Sequence, residues 1–291
     1  MAVAIGLAGA GPRAREVHAP YLAACPGAEF AGVWARSTDQ AGRLAAKYGV
    51  PVFDRYEELL DHCDAVTLAV SPVAQPDLAV AAARRSTAML LEIPISVELA
   101  GAEQAAEAVA LSHVVSQLGL TWRYAPSVRD FLGTAVARTG RMGGSGRVLS
   151  GPPPGPSPES RSRFELGVLA HQGPHLLDLL EAALGTVAGV SAHGDPEGWV
   201  GLMLEHQGGR FSEASLSAAV QVEPRATIEV FGPGGAAEID CAQAVGPDAF
   251  ENMFQEFADA VAQGTPPELN AEHGLHLQRL VTEARTDLLR Q

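Results

Sequence analysis

Gly9-Ala10-Gly11-Pro12-Arg13-Ala14 follows the apolar run that begins Ala2-Val3-Ala4-Ile5, at the place where a first strand would turn into a helix. A glycine at the first position lets the chain turn tightly. One at the second removes a Cβ, so that backbone N–H groups can approach a pyrophosphate. The third position needs only a small residue for helix-against-strand packing, and Ala14 meets that need. An anion would then sit on the positive end of the following helix, where Pro12 is tolerated because the N–H it lacks has no intrahelical partner. The stretch reads as a dinucleotide-binding loop, against the plainer alternative of a glycine turn in any α/β protein.

The surrounding pattern supports the first reading. Residues 2–7 and 30–34 are strand-like, 13–25 and 39–48 carry helix-spaced apolar positions, 49–53 reads as a short strand and 57–62 as a helical turn. Apolar runs at 65–70, 88–91 and 114–122 follow, separated by helical stretches at 76–84 and 98–110. Such alternation predicts an α/β domain, a doubly wound parallel sheet with helices on both faces. After Trp122 the pattern changes. A helix at 127–139 leads to a short strand at Val148, a Pro/Gly-rich loop from Gly151 to Pro156, and a helix at about 173–184. Strands are then expected near 187–192, 199–206, 210–217, 226–231 and 236–241, with hairpin turns at Gly208-Gly209 and Gly234-Gly235. Helices at 250–263 and 272–290 close the chain. The expected organisation is a dinucleotide-binding domain over 1–122 and an α+β domain with a largely antiparallel open sheet over 123–291, whose C-terminal helix packs back on the first.

Composition sets outer limits. A chain of 291 residues is long for one core and natural for two. No apolar run is long enough to span a bilayer, and residues 1–8 lack the basic start and cleavage site of an export signal, so a cytoplasmic protein without membrane partners is expected. Cys25, Cys63 and Cys241 are unevenly spread and form no CxxC, which suggests neither a disulfide framework nor a zinc site. A formal charge of −14 would repel phosphate backbones and argues against nucleic acid as a partner. The cationic residues are almost all arginine, and Lys47 is the only lysine.

The tip of the second strand reads Trp34-Ala35-Arg36-Ser37. An NAD site offers an acid here to the ribose 2′-OH, and an NADP site a cation to the 2′-phosphate. With alanine in place of the acid, Arg36 and Ser37 would present a guanidinium and a hydroxyl to a phosphate, which favours NADP while leaving NAD possible. The alternative is that Arg36 is a solvated loop residue and Ser37 merely caps the next helix.

The order of these elements resembles the glucose-fructose oxidoreductase, inositol dehydrogenase and rhizopine catabolism (Gfo/Idh/MocA) family over nearly the whole chain. The matching stretches are residues 9–14 with His18-Ala19-Pro20, Tyr48-Gly49-Val50-Pro51, Tyr56-Glu57-Glu58-Leu59-Leu60, Glu92-Ile93-Pro94, Gly173-Pro174-His175-Leu176-Leu177-Asp178, 228–235 and 254–264. The resemblance implies a Rossmann domain, NAD(P)-dependent redox of a sugar-like or other small carbonyl or alcohol substrate, and pairing of subunits into a homodimer or homotetramer through the C-terminal sheet. It also implies cofactor contacts from Gly9, Gly11, Pro12, Arg13, Ala14, Arg36, Ser37, Ser71, Pro72 and Glu92. Three motifs depart from the family's pattern. Its Glu-Lys-Pro, whose lysine helps move the substrate proton, is Glu92-Ile93-Pro94; its Thr-Pro-Asn-x-x-His is Ser71-Pro72-Val73-Ala74-Gln75-Pro76; its Asp-x-Gly-x-His is His171-Gln172-Gly173-Pro174-His175. Isoleucine neither donates nor accepts a proton, and Lys47 falls on the helix after Arg36.

Proton transfer then falls to other groups. His175 matches the family's substrate-side histidine, and His171, four residues earlier, would share its face if the helix includes both, although the helix is expected to begin near Gly173-Pro174. Tyr124 is a further proton donor by type, and Trp122 and Arg123 end the last strand of the first domain, where a parallel sheet places ligand-binding loops. Arg123 suits an anionic substrate group. No metal is expected, since no carboxylate beyond Asp178 accompanies the two histidines. His18, His62 and His276 read as cap or surface residues. The alternative to a redox enzyme is a non-redox enzyme built on His171 and His175, or a noncatalytic binding protein.

Overall fold

Val3–Ala8 (β1) is the central strand of a five-stranded parallel sheet, paired with Ala28–Trp34 (β2) on one side and Ala65–Leu68 (β3) on the other. The computed structural model to which it belongs describes the backbone of residues 2–151 and 158–290, and the side chains of all of these except 158–166. Between β1 and β2 runs a helix whose opening turn, Ala14–His18, is π-wound and continues as Ala19–Ala24 (α1). Thr38–Tyr48 (α2), Tyr56–Leu60 (α3), Gln75–Arg84 (α4), Ala88–Leu91 (β4), Leu99–Ser112 (α5) and Ser116–Leu118 (β5) follow. The strand order is β2-β1-β3-β4-β5. Every residue of β3 and β4 is buried, as strands covered by helices on both faces must be, which is why they read as unbroken apolar runs.

Two expected strands are shorter than the sequence suggested. Residues 49–53 contribute only a bridge between Val52 and Val33 beside β2, because Gly49 ends α2 in the left-handed region (φ 67) and Pro51 has no N–H for a ladder. That bridge still extends the sheet at its β2 edge in the order of a doubly wound domain. The run 114–122 is strand only at β5, and Thr121–Tyr124 winds into a 3-10 turn.

Pro126–Asp130 (α6), a π turn at Phe131–Ala135 and Val136–Thr139 (α7) lead into Gly143–Leu149 (β6). Beyond it lie Pro158–Leu184 (α8), Val187–Gly194 (β7), Val200–His206 (β8), Arg210–Ser217 (β9), Arg225–Gly232 (β10) and Gly235–Asp240 (β11). The second sheet has the order β11-β10-β6-β9-β8-β7, antiparallel except between β6 and β9. The strand expected at Val148 is a seven-residue interior strand, which the sequence hides behind its glycines. A Cβ on Gly146 would meet Leu176 at 2.7 Å, so glycine lets α8 lie close on this sheet. Along β8 alternate residues are buried, and the opposite face carries Met203, Phe211 and Phe231, each exposed by about two-fifths. Residues 152–156 of the expected Pro-rich loop lie outside the described residues. Cys241–Ala244 (α9), Pro247–Gln263 (α10) and Ala271–Leu288 (α11) complete the chain.

The chain divides into two compact units, Met1–Leu120 with Phe250–Leu275, and Thr121–Ala249 with His276–Gln291. In the first, Tyr21 stacks on Phe250 at 5.1 Å, and Phe254 and Phe257 are fully buried. Among the described residues no helix is long and apolar enough to cross a membrane.

Candidate functional site

The glycine loop is built as its sequence requires. Gly9 sits at φ +124, donates its N–H to the Trp34 carbonyl at 2.7 Å, and leaves so little room that a Cβ would lie 2.1 Å from the Ala69 carbonyl oxygen. The loop thus leaves β1 at the point where the strand order reverses between its two neighbours, the place at which sheets of this class bind ligands. Ala14 is fully buried, as helix packing at the third position demands. Gly11, Pro12 and Arg13 are half-buried, and Arg15 donates its N–H to the Gly11 carbonyl at 3.0 Å. This bare-backbone turn at the start of a helix fits a dinucleotide pyrophosphate, with one donor fewer than usual because Pro12 has no N–H.

A charged chain of side chains links that loop to the end of β4. Glu92 accepts from Arg13 Nε at 2.9 Å and from His18 Nε2 at 2.6 Å through the same oxygen. Burial alone would push the Glu92 carboxyl up, but the Arg13 guanidinium and the His18 ring outweigh it and hold the group down at about 2. Because the carboxylate only accepts, His18 donates to it from Nε2, while Nδ1 pairs with the Thr67 hydroxyl at 2.5 Å. His18 is therefore neither a cap nor a surface residue: it is fully buried, edge-on to Phe254 with ring centroids 5.6 Å apart. The π turn is the local cause. Pro20 has no N–H and its ring would crowd the carbonyl four residues back; the widened turn, in which Ala19 donates to Ala14, relieves this and turns His18 inward.

The sequence also gave no warning of Gln75. Its fully buried amide donates to the carbonyls of Glu92 at 2.8 Å, Ile95 at 3.0 Å and Pro94 at 3.3 Å, and accepts from the Glu92 N–H at 2.9 Å. It is a clamp on the Glu92-Ile93-Pro94 loop, whose Ile93–Pro94 peptide is cis. Ser71 and Pro72 form the turn that delivers it, with the Ser71 carbonyl accepting from Ala74 and Gln75. Gln75→Leu strands these backbone groups in a dry site, and is expected to cost about 2–4 kcal/mol in urea unfolding. A loss below about 0.5 kcal/mol would remove the clamp from the account.

At the tip of β2, Ser37 does cap α2, its hydroxyl accepting from the Gln40 N–H at 3.4 Å. Arg36 is exposed beside it.

The second unit gathers its own constellation. Beyond a break at Gly167 (φ 74), α8 runs through both histidines, so His171, His175 and Asp178 share one helical face and Pro174 lies inside the helix instead of opening it. The 3-10 turn reads that face with consecutive residues. The Trp122 ring lies 5.1 Å from that of His175, and Arg123 donates to Asp178 at 2.8 Å, with Asp178 1% exposed. Arg123, expected to hold an anionic substrate group, is thus engaged by a buried carboxylate. Tyr124 is 2% exposed, with the Arg129 guanidinium 5.6 Å from its ring centre. Among the described residues no group of His, Cys, Asp and Glu could hold a metal ion.

A parallel sheet of this order with a glycine turn at its switch point defines a nucleotide-binding Rossmann domain. Residues 3–120 match the family model of the Gfo/Idh/MocA oxidoreductases, described as an oxidoreductase family with an NAD-binding Rossmann fold. No curated protein matches the chain significantly. Solved structures share its fold over 99% of its length. UDP-N-acetylglucosamine 3-dehydrogenase from Acidithiobacillus ferrooxidans superposes with a TM-score of 0.87 at 20% identity over 98% of that chain. Apo scyllo-inositol dehydrogenase from Lactobacillus casei gives 0.86 at 15% over 96%. A protein of gentamicin A biosynthesis, solved with NAD, gives 0.83 at 19% over 94%.

Proposed function

We propose that the chain is an NADP(H)-dependent oxidoreductase acting on a sugar-like or other small carbonyl or alcohol substrate. The observation that carries the reading is the Gly9 turn, pressed so closely on Ala69 that only glycine fits, at the ligand-binding point of a family domain known for binding NAD. When bound, the nicotinamide supplies the hydride acceptor or donor. Gly9, Gly11 and Arg13 would hold the pyrophosphate, Ser71 and Pro72 would be further cofactor contacts, and Arg36 would favour the phosphorylated ribose. Ile93 cannot carry the proton, so His175 gives or takes it at the substrate oxygen, its ring steadied by Trp122 and with His171 one helical turn away. Asp178 and Arg123 hold the turn in place through a buried ion pair. The open face of the second sheet, with Met203, Phe211 and Phe231, is the proposed surface of self-association.

Titration with NADPH and NADH, followed by cofactor fluorescence, tests the reading. NADPH is expected to bind more tightly, and Arg36→Ala to weaken it about ten-fold while leaving NADH within about two-fold. Carbonyl reduction should then vanish in His175→Ala with cofactor binding intact. Binding of neither nucleotide would overturn the proposal in favour of a non-redox site around His171 and His175, the reading that Ile93 supports.

A further inference from the structure

We infer that the cleft between the π-wound turn ahead of α1 and the helix α2 is a phosphate-monoester pocket that selects the 2′-phosphorylated cofactor, with Arg15, Arg43, Lys47 and Gln40 as its specificity-determining residues. This rests on the dinucleotide reading above. The cleft has a volume of about 270 Å³ and is lined by Arg15, Gln40, Arg43, Leu44 and Lys47. On α2 these positions recur at three- and four-residue steps, so the helix presents one continuous cationic face to Arg15. Three cations, among them the only lysine, thus line one cleft in a chain of formal charge −14. Among the described residues no carboxylate lines it; Asp39 accepts from Arg43 Nη2 at 2.8 Å, one acid against three cations. The Lys47 ammonium lies 5.3 Å from the centre of the Tyr48 ring.

Position and chemistry together choose the ligand. Arg15 belongs to the first turn after the glycine loop, and Gln40 to the first turn of α2, directly after the tip of β2. The cleft therefore opens where the adenosine ribose lies in this class of fold. A ribose hydroxyl there needs one acceptor, and Trp34-Ala35-Arg36-Ser37 supplies no carboxylate. A phosphate monoester brings roughly −1.5 to −2 charge and three acceptor oxygens, which suits a site rich in donors and poor in acceptors. Arg36, the residue the sequence marks, does not line the cleft, so the proposal assigns discrimination to a second set of groups.

The test is a fluorescence titration of the full chain and of Arg15→Ala/Arg43→Ala with NADPH and with NADH, each variant first checked by thermal melting. All four lining polar side chains reach solvent, so the double variant is expected to melt like the parent. Its affinity for NADPH is expected to fall about ten-fold or more, with that for NADH changed by less than about two-fold. Equal loss for both nucleotides, or none for either, overturns the pocket while leaving the oxidoreductase reading in place. If the parent binds the two cofactors alike, the pocket and the NADP preference both fall and only the broader oxidoreductase reading stands. If the parent binds neither, both readings fall.

Discussion

Gly9→Ala is expected to unfold the first unit at temperatures the parent tolerates. The added methyl group would sit 2.1 Å from the Ala69 carbonyl oxygen, at a φ of +124 that side chains rarely adopt. Neither neighbour can yield cheaply, since the Gly9 N–H is bonded to Trp34 and the Ala69 N–H to Ala8, so relief means pulling β1 from its partners. The cost should reach about 4 kcal/mol or more, which lowers the melting temperature by roughly 10 °C. A variant that melts within about 2 °C of the parent would mean that β1 and β3 do not approach as closely as described.

The second large effect belongs to Glu92. Its carboxyl ordinarily titrates at 4.5, and in the folded chain Arg13 and His18 hold it, against burial, at about 2. A depressed carboxyl stabilises the folded state above the unfolded value, and that stability is lost as pH falls towards the folded one. The gap corresponds to about 3 kcal/mol, fully present at pH 7 and down to about 4.5, then fading towards about 2. Glu92→Gln removes the charge, keeps the shape and leaves the Arg13 guanidinium without its counter-ion. It is expected to lose about 2–3 kcal/mol at neutral pH. Denaturant melts at pH 7 and pH 3 decide the matter, because the difference between parent and variant should shrink on acidification. A constant difference would show that the loss came from packing and not from charge.

What could be read in advance follows from what a linear sequence encodes. The glycines of residues 9–14 impose their backbone directly, and fully buried strands such as Ala65–Leu68 announce themselves as apolar runs, so the doubly wound sheet was legible. Gly143 to Gly146 carry no periodic signal, and β6 was therefore underestimated. His18 and Gln75 were hidden for another reason. Both act on groups more than fifteen positions away, one through a π turn and the other through backbone carbonyls that have no residue identity. Pro174 misled in the opposite sense: it resembles a helix start, yet α8 carries it in its interior and sets His171 and His175 on one face. Asp178 as the partner of Arg123 needed the fold, because residues 55 positions apart meet only once the helix lies across the turn.

The division of the chain also governs how it must be made. The first unit draws its last segment from Phe250–Leu275, including the fully buried Phe254 and Phe257, although its other part ends at Leu120. During synthesis at about 5–20 residues per second, the parallel sheet is complete on the order of ten seconds before those rings leave the ribosome. For that interval Tyr21 and His18 face water instead of the aromatic side chains that later cover them. The nascent protein is then most exposed to misassembly and to chaperones, and slower translation of the segment between the two halves would prolong its exposure.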